Sequence, residues 1–181
     1  MLRLQQISGG FVPIENIEGQ TNMMELKPNI KIEAVLDQLI EGEKTIIWAR
    51  FLAEIANLQK AIDQKFGEKT TVTYTGSKNI DERAEAVQKF TKGDSWVFIG
   101  NPQTAGHGLT LIECNKVIYF SNDFSLENWL QSEDRVHRIG QENPVVYTDL
   151  LFERSIDSYI LNALSNKRSV SEIATNFSGN I

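Results

Sequence analysis

Residues 131–141 have the sequence Gln131-Ser132-Glu133-Asp134-Arg135-Val136-His137-Arg138-Ile139-Gly140-Gln141. On a helix, which turns by about 100° per residue, four polar side chains would share one face: Gln131, Asp134, Arg135 and Arg138. Three apolar side chains would point to the other side: Leu126, Trp129 and Val136. The spacing predicts a helix that is anchored by an apolar stripe and directs two arginines outward. Such guanidinium groups match phosphate oxygens, and the simpler alternative is a solvated face with internal Asp–Arg pairs.

The order Q-x-x-D-R-x-H-R-I-G-Q in this stretch resembles motif six of the Swi/Snf-type DNA translocases, a branch of the superfamily-two helicases. The resemblance implies that Arg135 and Arg138 are arginine fingers, which reach the β- and γ-phosphates of an ATP held by another domain. It also implies that Gln131 and Asp134 belong to the same ATP-binding site. Phosphoryl transfer spreads negative charge over the γ-phosphate oxygens, and a positioned arginine accelerates it by roughly a thousandfold or more.

A glycine-rich loop, residues 100–110, follows the third predicted strand. Gly106 and Gly108 let the backbone approach a ligand closely, although a plain tight turn has the same composition. Beside motif six, the loop resembles motif five of the same family. This implies that both glycines belong to the ATP-binding site and that Gln103 and Thr104 contact DNA. The loop departs from the usual form of the motif at three positions: Pro102, Gln103 and Thr110.

The resemblance extends over essentially the whole chain. Arg50 lies where motif four is expected, and Ser77 lies in the loop after the second predicted strand, so both are implied DNA contacts. Residues 1–29 resemble the lead-in that follows a first motor lobe. Residues 30–168 resemble the helicase C-terminal domain with its closing brace helix, and residues 169–181 form a short tail.

Short β-branched or aromatic runs alternate with segments of helical period. Five strands are predicted: Thr45–Ala49, Thr71–Thr75, Ser95–Ile99, Lys116–Phe120 and Val145–Leu150. Five helices are predicted: around residues 32–39, over Leu52–Phe66 and Asp81–Phe90, after Ser125, and over Ser155–Lys167. This alternation predicts an α/β fold with a mostly parallel sheet and helices on both faces, and the resemblance specifies a RecA-like three-layer α/β/α domain. The first thirty residues are predicted to be a loop or a partly ordered lead-in.

Composition excludes several other classes of protein. The chain has 181 residues, 41% of them hydrophobic, which is enough for a sizeable core, and its net charge of −6 argues against a free-standing nucleic-acid binder. Its one cysteine, Cys114, and its two histidines, His107 and His137, supply neither a disulfide framework nor a metal site. No apolar run is long enough to cross a membrane. The expected location is therefore cytoplasmic, or nuclear in a eukaryote.

Half of the machinery for ATP hydrolysis is missing from the sequence. The reaction needs a G-x-x-x-x-G-K-[ST] loop and an acidic pair for Mg²⁺, and the segments 42–45 and 67–70 imitate only the end of such a loop and precede strands. ATP and Mg²⁺ are therefore expected to bind mainly to an absent N-terminal lobe, and the chain alone is expected to be inactive. The resemblance implies the C-terminal lobe of an ATP-dependent translocase, whose partners are double-stranded DNA and the N-terminal RecA-like lobe. The alternative is a non-catalytic binding or regulatory module with a helicase fold.

Overall fold

A computed structural model describes residues 1–16, 18–104 and 109–178 of the chain. Its elements follow in the order α1 (Leu2–Ser8), β1 (Phe11–Glu15), β2 (Thr21–Glu25), α2 (Ile30–Gln38), β3 (Thr45–Trp48), α3 (Leu52–Phe66), β4 (Thr71–Tyr74), α4 (Ile80–Lys92), β5 (Val97–Gly100), β6 (Lys116–Tyr119), α5 (Leu126–Glu133), β7 (Val146–Asp149) and α6 (Ile156–Ser178).

Strands β3 to β7 form an all-parallel sheet in the order β4-β5-β3-β6-β7. The central strand, β3, pairs with β5 on one side and β6 on the other, so that Ile47 lies opposite both Ile99 and Ile118. Each strand of this sheet matches a predicted strand to within two residues at either end. The predicted parallel sheet is confirmed.

Alternate side chains of β3 pack into two separate cores. On one face, Ile46 packs in a cluster with Phe90 of α4, and on the other face Ile47 packs in a cluster with Val35 of α2 and Leu58 of α3. All five of these side chains are fully buried. A strand that is apolar on both faces has to be covered on both faces, which produces the three-layer α/β/α arrangement.

Local signals in the sequence set the starts of two helices. Asn79 Oδ1 accepts the Glu82 N–H at 2.9 Å, and Glu82 Oε2 accepts the Asn79 N–H at 2.8 Å, which is a reciprocal cap at the start of α4. Ser125 caps α5 as predicted, because its hydroxyl accepts the Asn128 N–H at 3.2 Å. The segments 42–45 and 67–70 form turns that lead into strands, with Gly42 at φ +80° and Gly67 at φ +107°.

The first thirty residues are more regular than the predicted loop or partly ordered lead-in. They contain α1 and an antiparallel hairpin, β1–β2, in which Phe11 lies opposite Glu25. The segment is ordered because it packs against the rest of the domain. Gln5 and Gln6 of α1 are buried, and the Phe11 ring contacts the Phe51 ring edge-on with 5.4 Å between the centroids. The sequence signalled turns in this region but not these tertiary contacts.

The last helix is longer than predicted. Helix α6 covers Ile156–Ser178, whereas the pattern of apolar residues predicted an end at Lys167. Ile160 and Leu164 supply its buried contacts, as predicted. The predicted tail therefore continues the helix as far as Ser178.

One buried ion pair joins three helices. Lys31, at the start of α2, is 3% exposed, and its Nζ lies 2.8 Å from Asp157 Oδ2 of α6. The same ammonium donates to the Phe120 carbonyl at 2.9 Å, and the Ser8 hydroxyl of α1 donates to Asp157. The ion pair therefore connects α1, α2 and α6 at the edge of the domain.

Removal of one partner of this pair should be strongly destabilising. We expect Lys31→Ala to lower the free energy of unfolding by about 3–5 kcal/mol, because the largely buried Asp157 carboxylate would lose its cationic partner. The matched control is Lys89→Ala, which breaks the exposed Lys89–Glu85 pair of α4 and should leave stability unchanged. Urea unfolding of both variants measures the difference, and equal midpoints for the two variants would contradict the prediction.

Candidate functional site

The loops that follow β3, β5 and β6 meet at the carboxyl edge of the sheet, where parallel α/β folds bind ligands. Asn101 Nδ2 donates to the Arg50 carbonyl at 2.6 Å, and the Arg50 N–H donates to Ser121 Oγ at 2.9 Å. A small cavity of about 130 Å³ lies between these loops, and its wall includes Arg50, Gln103 and Trp129. Two residues predicted to contact DNA, Arg50 and Gln103, therefore border the same cavity.

Arg50 is held on two sides. Its Nη1 donates to Gln5 Oε1 of α1, and its guanidinium lies over the Phe51 ring, 5.0 Å from the centroid. The side chain is half-buried, so its planar group retains contact with solvent.

The other two residues predicted to contact DNA form a second small group. The Ser77 hydroxyl hydrogen-bonds the Thr75 hydroxyl at 2.8 Å. The Thr104 hydroxyl lies 3.5 Å from the position that a side-chain carbon on Gly76 would occupy. Ser77 and Thr104 thus lie on adjoining loops at the end of β4 and after β5.

Helix α5 ends at Glu133, so the predicted helix through Arg135 and Arg138 is wrong beyond that residue. The chain continues in turns, in which the His137 N–H donates to the Glu133 carbonyl at 2.9 Å. The cause is a tertiary contact. The Arg135 carbonyl, which a continuing helix would use internally, accepts the Leu111 N–H at 2.9 Å.

Arg135 and Arg138 both contact the segment 109–111, at the end of the glycine-rich loop. Arg135 donates through Nε to the Gln131 carbonyl at 3.1 Å and through Nη1 to the Leu109 carbonyl at 3.4 Å. Arg138 Nη1 donates to Thr110 Oγ1 at 3.0 Å. The structure therefore brings both arginines together without the single helical face that the sequence predicted.

Charge pairing does not account for Arg138. Its side chain is exposed, and no carboxylate within residues 1–16, 18–104 and 109–178 forms an ion pair with it. Among the other residues predicted to bind ATP, the Gln131 amide donates to Glu127 Oε1 at 2.9 Å and Asp134 is exposed. Gly106 and Gly108 lie outside the described residues.

The side chain of Arg138 is suited to contact with an anion. Arg138 has a charged guanidinium at the surface with one neutral hydroxyl as its partner, so it can approach an anion without first breaking an ion pair. This guanidinium can therefore bind an anion such as a phosphate at the surface of the domain. No group of three metal-ligating side chains occurs among the described residues.

Sequence analysis missed a buried carboxyl group beneath this edge. Glu54 is fully buried, and its Oε2 accepts the Ser121 hydroxyl at 2.5 Å and the Phe51 N–H at 3.0 Å. Burial raises the pKa of Glu54 to about 7, against the lowering effect of these two hydrogen bonds. An acidic residue in the first turn of a helix usually indicates an exposed cap, so the sequence carried no signal of this burial.

The fold and this edge define a RecA-like α/β lobe. Residues 30–140 match the family described as Helicase conserved C-terminal domain, and the chain belongs to this family. Among solved structures, it resembles the one titled "Crystal structure of the C-terminal part of Fun30 ATPase domain". The TM-score is 0.66 and the identity 26%, with 75% of this chain and 44% of that chain covered.

Curated relatives place the domain in the SWI/SNF group. ATP-dependent DNA helicase DDM1 of Arabidopsis thaliana is 27% identical, with 93% of this chain and 22% of that protein covered. SWI/SNF chromatin-remodeling complex subunit snf22 of Schizosaccharomyces pombe is 35% identical, with 75% of this chain and 8% of that protein covered. The chain is thus a C-terminal helicase domain of the SWI/SNF type, and it spans less than a quarter of the length of these two relatives.

The expected cytoplasmic location gains no support from these relatives. The name of snf22 refers to chromatin, as does that of another relative, Protein CHROMATIN REMODELING 4 of Arabidopsis thaliana. The other expectation, a nuclear location in a eukaryote, stays a prediction. None of the described helices has the length and apolar character needed to cross a bilayer.

The raised pKa of Glu54 predicts a specific dependence of stability on pH. Because its folded-state pKa of about 7 exceeds its ordinary value of 4.5, its protonated form stabilises the fold fully below pH 4.5, and this contribution is lost as pH rises through about 7. Glu54→Gln imitates the protonated form, so its stability relative to the unsubstituted chain should increase over this range. Urea unfolding at several pH values measures this difference.

Glu85→Gln is the control for this experiment. Glu85 is exposed, and the hydrogen bond from Lys89 lowers its pKa, so the variant should gain no relative stability as pH rises. A constant difference between the Glu54→Gln variant and the unsubstituted chain at all pH values would contradict the prediction.

Proposed function

We propose that this domain is the second motor lobe of an ATP-driven double-stranded DNA translocase, in which Arg135 and Arg138 act as arginine fingers. The observation that carries the proposal is the placement of both guanidinium groups against the segment 109–111, with Arg138 exposed and unpaired by carboxylates of the described residues. Membership of the helicase C-terminal family and similarity to ATP-dependent helicases support it.

The two arginines have different roles in this proposal. Arg135 is half-buried and fixed by two main-chain carbonyls, so it supplies a preorganised charge. Arg138 is exposed, and among the described residues its side chain bonds to Thr110, so it can move a short distance to a γ-phosphate oxygen. Both guanidinium groups would stabilise charge that develops in the transition state, which is the main protein contribution to phosphoryl transfer.

Most of the nucleotide site would belong to the N-terminal RecA-like lobe. That lobe would hold ATP together with Mg²⁺, and Mg²⁺ neutralises phosphate charge when it is bound. Gln131 and Asp134, which flank the arginines, would border the nucleotide from this side, and Gly106 and Gly108 would connect it to the preceding loop.

DNA would contact the carboxyl edge of the sheet through its sugar-phosphate backbone. Arg50 and Gln103 border one cavity at this edge, and Ser77 and Thr104 lie on adjoining loops. Contact with the backbone suits a motor that moves along any sequence, and it makes binding dependent on salt. Because the chain carries a net charge of −6, its own affinity for duplex DNA should be weak.

The 181-residue chain alone should not hydrolyse ATP, with or without duplex DNA. Its sequence lacks the phosphate-binding loop and the acidic pair, so the arginines have no bound nucleotide to act on. Release of inorganic phosphate from ATP measures this, with a protein that contains both lobes as the positive control. DNA-stimulated hydrolysis by the pure chain would contradict the assignment of ATP binding to another lobe.

In a protein that contains both lobes, Arg138→Ala should lower kcat for ATP hydrolysis by about a thousandfold and leave KM for ATP nearly unchanged, because a finger acts mainly in the transition state. Arg135→Ala should lower kcat similarly and can also raise KM. Steady-state kinetics with saturating DNA measure both values, and Arg154→Ala, at an exposed position before α6, is the control. Unchanged turnover in both variants would contradict the assignment of Arg135 and Arg138 as arginine fingers.

A further inference from the structure

Hydrogen bonds from polar side chains to other side chains and to backbone carbonyls run along the carboxyl edge of the sheet. Beyond the contact between Asn101 and Arg50, the Asn122 amide donates to Asp149 Oδ1 at 2.8 Å at the end of β7. Arg50 and Asn101 lie just after β3 and β5. Asn122 lies after β6, and Asp149 is the last residue of β7. The residue that connects these two pairs does not come from the sheet. It is Gln5 of α1.

The Gln5 amide bridges the two pairs. Its Oε1 accepts from Arg50 Nη1, and its Nε2 donates to the Asn122 carbonyl at 3.4 Å. The amide has only one orientation that satisfies both partners, since a guanidinium can only donate and a carbonyl can only accept. Gln5 is 5% exposed, so water does not readily replace either contact.

Helix α1 is itself fixed against the domain, so Gln5 is a rigid partner. Ser8 of α1 donates to Asp157, which forms the buried pair with Lys31. At the end of the helix, a side-chain carbon on Gly9 would lie 2.0 Å from Glu54 Oε1, so the backbone there is pressed closely against the start of α3. The position of α1 therefore influences the orientation of the Arg50 guanidinium through the hydrogen bond to Gln5.

We propose that Gln5 is a positioning residue, which holds the Arg50 guanidinium in the orientation that contacts the DNA backbone. A hydrogen bond that restricts a long charged side chain lowers the conformational entropy lost when that side chain binds a phosphate. Helix α1 lies in the segment that precedes the RecA-like domain, so displacement of α1 would release Arg50 and weaken DNA contact at this edge. This inference rests on the proposed contact between Arg50 and DNA.

The first test is spectroscopic and needs no DNA. Gln5→Met keeps the length and volume of the side chain and removes both hydrogen bonds. In the 181-residue chain, the NMR signal of the Arg50 side-chain Nε–H should move towards the chemical shift of a solvated arginine. Its heteronuclear NOE should fall, because the side chain becomes more mobile. The control is Gln6→Met, at the neighbouring buried glutamine of α1, whose Oε1 has no hydrogen-bond partner among the described residues. An unchanged Arg50 signal in Gln5→Met overturns the inference.

The second test is a double-mutant cycle on binding of a fluorescently labelled duplex of mixed sequence at low salt. We expect Arg50→Ala to weaken binding about tenfold, because it removes the contact with a charged phosphate. Gln5→Met should weaken binding about threefold, because it removes only the hydrogen bond that orients Arg50. In the Arg50→Ala background, Gln5→Met should have no further effect, whereas a general structural role would give additive losses. Gln6→Met should bind normally.

The outcomes separate this inference from the proposed function. Weaker binding by Arg50→Ala with normal binding by Gln5→Met overturns the positioning role and leaves the DNA contact in place. Additive losses in the double variant also overturn the positioning role. Normal binding by Arg50→Ala overturns the assignment of Arg50 to DNA and, with it, the role of Gln5.

Discussion

The central strand of the sheet is buried on both faces, and this constraint organises the rest of the domain. In β3, Ile46 and Trp48 belong to one apolar cluster, and Ile47 belongs to the other together with Ala49, which follows the strand. Both clusters have to be covered, and parallel strands need long connections, so the helices that connect the strands become the two outer layers. The same topology brings the carboxyl ends of all five strands to one edge. The residues that we assign to DNA therefore come from distant parts of the sequence and lie on neighbouring loops.

Buried polar groups hold helices α1, α2 and α6 in place at this edge of the sheet. The pair between Lys31 and Asp157 fastens α6 to α2, and Ser8 and Gln5 add α1 to the same region. Each group is costly to bury alone, so each keeps its partner in place. The segment that precedes the RecA-like domain is consequently part of the folded unit, and its position bears directly on Arg50.

The two arginines illustrate a competition between local and tertiary hydrogen bonds. The sequence after α5 has the composition of a helix, but the Arg135 carbonyl bonds to the Leu111 N–H, and the Gln141 amide donates to the carbonyls of Ile112 and Cys114. These hydrogen bonds connect the turn after α5 to the segment that follows the glycine-rich loop. In the proposed motor, this connection would link the groups that act on ATP to the loop that leads to the DNA-facing edge, because neither can shift without the other.

The sequence by itself determined the five strands of the parallel sheet, most helix boundaries and the family, because these depend on short-range patterns. Alternation of apolar runs defines strands and helices, and the residue order around Arg135 and Arg138 is a local motif. Asn79 and Ser125 cap helices by bonding to residues three positions further along the chain. Only the tertiary structure decided that α1 is folded against the domain, that α5 ends at Glu133 and that Glu54 is buried. Each of these depends on a partner that is distant in sequence: Gln5 contacts Arg50, Arg135 contacts Leu111, and Glu54 contacts Ser121. No pattern within a single segment specifies such a pair, since its energy exists only once the chain has brought both residues together.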